Sequence, residues 1–164
     1  MNDRQPPSAD GLAGVDGLIA AASRLAAEAM AARKSNAWVI RRLGEDYAYI
    51  HLADLRHPIR FLRQMAGQPP IRLGTDGFRR DLVDDANPAR HYIAFLVVGY
   101  WLPPWAAVAT LWLWEIAGFI RYRGVWSWPD LASGYVGIRH GRLARRYGVA
   151  VLPALMASDL TERG

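Results

Sequence analysis

Apolar residues recur along most of this chain with the three-to-four-residue spacing of an amphipathic α-helix. In the segment that begins at Asp16, the apolar positions on one face are Leu18, Ala22, Leu25 and Ala29. This spacing predicts a first helix. Two shorter helices are predicted, one from Asn36 that is loosened at Gly44, and one from Pro58 to Gly67. Because no segment shows a strand pattern with a pairing partner, the sequence predicts an all-α fold.

The longest uncharged segment runs from Tyr92 to Trp114 and is followed by Glu115. Its length meets the criterion of ~20 residues for a membrane-spanning helix. Pro103-Pro104 lies at its centre, however, and tandem prolines remove two backbone donors and usually break a helix. We therefore predict two helices, at about 89–102 and 105–122, that form an apolar antiparallel hairpin turning at Pro103-Pro104. The alternative, in which the hairpin enters a membrane, stays open.

The last long helix is predicted to begin at Ser127-Trp128-Pro129-Asp130, which has a capping serine and a proline in the first turn. One face of this helix is lined by small residues: Gly134, Gly137, Gly141 and Ala144. Glycine destabilises an isolated helix, so another helix or a protein partner is expected to pack closely there. The chain is therefore predicted to be a flexible arm (1–15), one domain of about five to six helices (16–156) and a polar tail (157–164).

The composition narrows the partners that the chain can be expected to bind. The net charge is +5 and comes almost entirely from arginine, since Lys34 is the only lysine. Arginine clusters suit an anionic ligand or a membrane surface, whereas the absence of a recognisable nucleic-acid-binding motif disfavours nucleic acid. Without cysteine there are no disulfides or thiolate metal sites. The N-terminal segment lacks the apolar core of a Sec signal peptide, which favours a cytoplasmic location or export by another route, with membrane association left open.

The predicted hairpin brings polar groups from distant parts of the chain to one level. His91 and Glu115 each lie about 17–18 Å along their helix from the Pro103-Pro104 turn, so an antiparallel arrangement places them side by side. Asp130, in the first turn of the following helix, is a third member of the same cluster. The predicted catalytic residues are His91, Glu115, Asp130 and Arg90, and the predicted substrate-binding residues are Asn87 and Asp85. No cofactor-binding motif is present; a divalent metal is compatible with these residues but is not implied by their spacing.

The order of these residues resembles a family of bacterial helical domains. The matching elements are Gly77-Phe78, Asp85-x-Asn87-x-x-Arg90-His91, an apolar helix pair ending near Glu115, and Asp130-Leu131-Ala132. The family carries N-x-x-R-H-F and a later D-x-A-x-N, and some members end polymorphic toxins or secreted effectors, mostly with unassigned activity. The resemblance covers about residues 75–148 and implies that Asn87, Arg90, His91, Glu115 and Asp130 are functional positions. Tyr92 is the aromatic residue that follows Arg-His in this chain. Gly134 stands where the family tends to have Asn.

Three functional hypotheses follow from the sequence. The first is a small hydrolytic domain, related to toxins or effectors, in which His91 is the general base and Arg90 binds an anion. The second is a non-catalytic binding module, in which the polar cluster is structural and the glycine face docks a partner. The third is a membrane-associated protein that uses the tryptophan-rich hairpin, with the arginine clusters facing anionic headgroups.

Overall fold

The structure, a computed structural model, describes residues 12–56, 68–121, 124 and 126–162. Within these ranges the chain forms six α-helices and no β-strand, apart from one isolated bridge between Phe78 and Thr161. The helices are α1 (Gly14–Ala31), α2 (Asn36–Leu43), α3 (Pro88–Trp101), α4 (Pro104–Arg121), α5 (Trp128–Tyr147) and α6 (Leu152–Leu160). Shorter helical turns are a π-helix at Gly44–Ala48 and 3-10 helices at Leu52–Arg56, Arg80–Leu82 and Val149–Val151. The single all-α domain predicted from the sequence is confirmed.

Proline and capping residues determine where the central helices begin and end. Helix α3 ends at Trp101 and α4 begins at Pro104, so the predicted break at Pro103-Pro104 is present. Ser127 accepts a hydrogen bond from the backbone N–H of Asp130 at 3.1 Å and caps α5, as its sequence context predicts. The predicted loosening at Gly44 is also found, because α2 stops at Leu43 and the backbone continues as a π-helix. The helix predicted from Pro58 to Gly67 lies outside the described residues.

The closest helix–helix contact in the fold is between α3 and α5, and it depends on glycine. A Cβ atom added at Gly137 would lie 2.5 Å from the carbonyl oxygen of Tyr92, and one at Gly141 would overlap the carbonyl oxygen of Leu96. From the other side, a Cβ at Gly99 would overlap the backbone of Ile138. The predicted close crossing therefore exists, with α3 as the crossing helix. The alternative use of this face, as a docking site for a separate protein, is wrong because α3 already covers it.

Helix α4 is attached to the domain by a narrow stripe. Its only buried residues are Ala107, Leu111 and Glu115, which face α5 and the inner side of α3. The remaining faces of α4 expose large apolar side chains, including Trp105, Leu113 and Ile120. No helix in the described part of the chain combines the length and the continuous apolar character that a membrane crossing requires. The two halves of the hairpin are thus unequal, with α3 in the core and α4 at its edge.

Two predicted domain boundaries need correction. Helix α1 begins at Gly14 rather than Asp16, and the buried side chain of Val15 belongs to the core, so the domain starts before residue 16. The predicted polar tail is wrong for residues 157–162, because α6 extends to Leu160 and Thr161 forms a bridge with Phe78. Leu160 is 1% exposed. One apolar residue in a polar stretch was enough to fix this segment to the core; residues 1–11 and 163–164 lie outside the described ranges.

Candidate functional site

Three helices bring His91, Glu115 and Asp130 together at the end of the hairpin opposite its turn. His91 Nε2 lies 3.6 Å from Glu115 Oε1, and His91 Nδ1 lies 3.8 Å from Asp130 Oδ1. The equal distances of His91 and Glu115 from the proline turn explain why α3 and α4 present them at one level. The side chain of Asp130 is 31% exposed, whereas that of Glu115 is 7% exposed. The cluster therefore has an inner carboxyl, a central imidazole and a carboxyl at the rim.

The polar atoms of this cluster are incompletely hydrogen-bonded. Among the described residues, His91 Nε2, Glu115 Oε1 and both side-chain polar atoms of Asn87 are buried without a hydrogen-bond partner. Both distances from the imidazole to the carboxylates exceed that of a hydrogen bond. Buried polar atoms without partners are rare in folded proteins because each costs desolvation energy. His91 Nε2 and Glu115 Oε1 are therefore both available to bind a ligand or a substrate.

A second buried histidine provides the contrast. His140 Nδ1 lies 2.8 Å from the hydroxyl of Tyr92, and its Nε2 lies 2.7 Å from Asp159 Oδ2. Arg139 donates to the same carboxylate at 2.6 Å. In this network, which the sequence did not predict, both imidazole nitrogens have partners and Tyr92 is buried. We interpret it as the structural tie between α3, α5 and α6, the role that the sequence left open for the His91 cluster.

The pKa values of both carboxyl groups of the cluster are raised above their ordinary values. Burial, together with the negative charges of Asp130 and Asp84, raises the pKa of Glu115 to about 7. Burial and the charges of Asp84 and Asp85 raise the pKa of Asp130 to about 6, against a hydrogen bond from Ser127 that lowers it. The same physical cause acts on both groups: carboxylates are crowded in a region of low dielectric.

The imidazole is held in its neutral form. Burial lowers the pKa of His91 to about 4, and the nearby positive charge of Arg90 acts in the same direction, against a hydrogen bond with the backbone of Asp130. The contacts of His91 with Glu115 and Asp130 are consequently not ion pairs at neutral pH. Its ring also packs against Phe95, with 4.8 Å between the ring centroids. The imidazole is thus fixed in place with a ring nitrogen that can accept a proton or a ligand.

The acidic turn before α3 supplies the negative charge around the cluster. The carboxylate of Asp85 accepts a hydrogen bond from the backbone N–H of Asn87 at 2.7 Å, which shapes the turn. Asp85 therefore shapes the turn, and its role in binding substrate stays a prediction. Asp84 was not among the predicted site residues, although its charge affects both Glu115 and Asp130. Its position beside Asp85 in the sequence was the available signal.

Gly134 lies directly beside the cluster. A Cβ atom at this position would be 3.3 Å from His91 Nε2 and would overlap the side chain of Leu111. The side chain of Leu111 occupies the space beside Gly134, so glycine at this position allows α4 and α5 to pack closely next to His91.

His91, Glu115 and Asp130 are also the residues of the described chain whose arrangement suits a metal ion. Each offers one ligand atom, and these atoms lie within 4.8 Å of one another. A histidine with two carboxylates is a donor set found in sites for divalent transition metals.

Comparison of the chain with protein-family models, with curated proteins and with solved structures found no match. Function is accordingly argued from the geometry of this site.

Proposed function

We propose that this chain is a small hydrolytic domain whose reaction takes place at His91, Glu115 and Asp130. The observation that supports this most directly is the convergence of an imidazole and two carboxyl groups in which His91 Nε2 and Glu115 Oε1 are buried without a hydrogen-bond partner. A structural cluster of the same residues would be expected to satisfy its hydrogen bonds, as the His140 network does. The relation to toxin or effector domains remains part of this proposal and rests on the resemblance alone.

In the proposed reaction, His91 accepts a proton from the water that attacks the substrate. The imidazole is neutral before the reaction, as a proton acceptor must be. A base with a lowered pKa is weak by itself, but the carboxylates of Glu115 and Asp130 would stabilise the imidazolium that forms. Arg90, one residue before His91, would bind an anionic group of the substrate. Hydrolysis therefore requires the imidazole and at least one ionised carboxyl group together.

The test compares His91→Gln, Glu115→Gln and Asp159→Asn with the wild-type chain in a growth-arrest assay on expression. The first two substitutions preserve shape while removing the proposed proton acceptor or its carboxylate partner, so growth arrest should be lost with normal protein levels. Asp159→Asn perturbs the other histidine network and serves as the control that should retain growth arrest if the protein folds. Growth arrest by folded His91→Gln and Glu115→Gln proteins at the wild-type level would refute the hydrolytic proposal.

A separate observation favours a second function, attachment to an anionic membrane surface. Helix α4 exposes apolar side chains on most of its surface; Trp105 is 76% exposed and Ile120 is 73% exposed. Helices that are apolar on all sides are normally buried, and large exposed apolar patches mark interaction sites. At the hairpin turn, Trp101, Leu102 and Trp105 are all exposed. We propose that this turn inserts into the interfacial region of a bilayer.

The charges beside the turn indicate a lipid surface rather than another protein. Arg142, Arg145 and Arg146 line a groove with Gly99 and the Pro103-Pro104 turn. Among the described residues, no carboxylate forms an ion pair with these three arginines. An apolar, tryptophan-bearing tip beside an arginine groove suits lipid headgroups, because tryptophan favours the membrane interface and each basic residue adds about 1 kcal/mol on an anionic surface.

Co-sedimentation with vesicles tests this second function. Binding should be stronger to vesicles of equal parts phosphatidylcholine and phosphatidylglycerol than to phosphatidylcholine alone. Trp105→Ser should weaken binding to both, whereas Arg142→Gln with Arg146→Gln should weaken binding to the anionic vesicles about tenfold or more. Arg80→Gln removes one exposed arginine elsewhere and should have little effect. A folded protein that fails to sediment with either vesicle, or that forms a stable dimer through this face, would contradict membrane attachment.

A further inference from the structure

We infer that His91, Glu115 and Asp130 form a binding site for one divalent transition-metal ion such as Mn²⁺ or Zn²⁺. The inference rests on the proposed hydrolytic function for its chemical purpose, and it changes one role within it. In a metal-bound site His91 would be a ligand, and the cation would lower the pKa of a bound water, whose proton would pass to solvent water at the Asp130 rim. The sequence predicted that these three residues would meet, but their spacing did not imply a metal ion, since the three donors come from three different helices.

The separations between the donor atoms fit a shared ion better than they fit direct contacts. Nitrogen and oxygen ligands lie about 2.0–2.2 Å from Zn²⁺, so neighbouring ligands around one ion are about 3–3.5 Å apart. The 3.6 Å separation of His91 Nε2 and Glu115 Oε1 is slightly longer than that spacing and too long for a hydrogen bond, and one ligand atom from each of the three residues lies within 4.8 Å of the other two. Small side-chain rotations would close the site. Glu115 is 6% exposed, and its buried Oε1 has no hydrogen-bond partner.

The charge around the site also favours a cation. Glu115 and Asp130 are joined by Asp84 and Asp85, whose negative charges reach one or both of them. Arg90 is the positive charge that acts on His91 from the same helix. The carboxyl groups of this region therefore repel one another when they are ionised. A divalent ion would offset the repulsion between carboxylates that otherwise opposes their ionisation.

The mixed donor set indicates which ions should bind. Ca²⁺ and Mg²⁺ prefer oxygen ligands, and Mg²⁺ retains much of its water shell. An imidazole nitrogen together with two carboxylates suits Mn²⁺, Fe²⁺ or Zn²⁺. The side chain of Asp130 at the rim is partly exposed, so an ion has a route of entry, and a water ligand has room on that side. The site is therefore open in the manner of catalytic metal sites rather than closed like structural ones.

Titration calorimetry and Mn²⁺ electron paramagnetic resonance on the full chain, stripped with a chelator, test the inference. We expect one site for Mn²⁺ and Zn²⁺, with affinity for Mg²⁺ and Ca²⁺ weaker by at least about tenfold. Glu115→Gln and His91→Gln should each weaken Mn²⁺ binding at least about tenfold, and Glu45→Gln, on a partly buried carboxyl elsewhere, should not. Absence of binding by folded wild-type protein, or equal binding by the Glu115→Gln variant, would overturn the inference.

The outcomes separate this inference from the hydrolytic proposal. If Mn²⁺ binds and the Glu115→Gln variant loses it, while the wild-type chain causes no growth arrest, the metal site stands and the hydrolytic function falls. If growth arrest depends on His91 but no ion binds to the folded protein, the hydrolytic proposal stands and the metal site falls. The spectroscopic readout does not require activity, so neither result depends on knowing the substrate.

Discussion

The buried carboxyl of Glu115 should make the folded protein less stable as the pH rises. Its pKa is about 7 in the folded state, against an ordinary value of 4.5. A carboxyl whose pKa is raised by folding favours the folded state only while it is protonated, so its contribution is lost as the pH rises from about 4.5 through 7. Each pKa unit is worth about 1.36 kcal/mol, which gives a penalty of up to about 3.4 kcal/mol at high pH. Solvent at the Asp130 rim reduces this to about 2–3 kcal/mol.

Glu115→Gln isolates this effect because glutamine has nearly the same shape and cannot ionise. At pH 8.5 the variant should gain about 2–3 kcal/mol in unfolding free energy over wild type, and at pH 5.5 only about 1 kcal/mol, since the carboxyl is then largely protonated in the folded state. The pH dependence of the wild-type unfolding free energy does not isolate Glu115. The lowered pKa of His91 makes the unfolding free energy rise over part of the same pH range. The difference between variant and wild type removes that contribution.

Urea unfolding followed by tryptophan fluorescence, at both pH values and in the presence of a chelator, measures this difference. Glu28→Gln, which changes an exposed carboxyl on α1, is the matched control and should behave alike at the two pH values. A Glu115→Gln variant that is destabilised, or that differs from wild type by the same amount at pH 5.5 and pH 8.5, would refute the account of a buried, repelled carboxyl. A stabilising substitution here would fit a residue retained for function at the expense of stability.

Four further substitutions have outcomes that the structure determines. Gly137→Ala should destabilise the fold by about 1–3 kcal/mol because its methyl group meets the backbone of α3, whereas Gly118→Ala, with open space around it, should be neutral or stabilising by up to about 1 kcal/mol; thermal melts compare the two. Tyr92→Phe should cost about 1–3 kcal/mol in urea unfolding, because it leaves Nδ1 of buried His140 without a donor; a neutral result would argue against that hydrogen bond. His91→Ala should lower the free energy of unfolding by less than a broken buried ion pair does, which is about 3–5 kcal/mol, because His91 is neutral. A larger loss in urea unfolding would contradict a neutral imidazole.

Local signals in the sequence determined most of the helical framework. Pro103-Pro104 fixed the break between α3 and α4 because proline cannot donate its backbone hydrogen bond, and Ser127 fixed the start of α5 by capping it. The same local geometry determined that His91 and Glu115 would meet, because helical rise per residue is constant and both lie equally far from the turn. These features depend on residues close together in the chain, so a sequence alone contains them.

Tertiary packing decided what these elements do. The glycine face of α5 could serve an internal helix or an external partner, and only the approach of α3 to Gly137 selected the first. The pairing of His140 with Tyr92 and Asp159 joins residues far apart in the chain, so no periodicity predicts it. The exposure of α4 likewise depends on how much of its surface other helices cover. Helix geometry in the sequence placed His91 and Glu115 at one level of the fold, but long-range packing decided whether each buried polar group has a hydrogen-bond partner. The imidazole of His140 has partners on both nitrogens, whereas Nε2 of His91 has none, and this distinguishes the structural network from the candidate site.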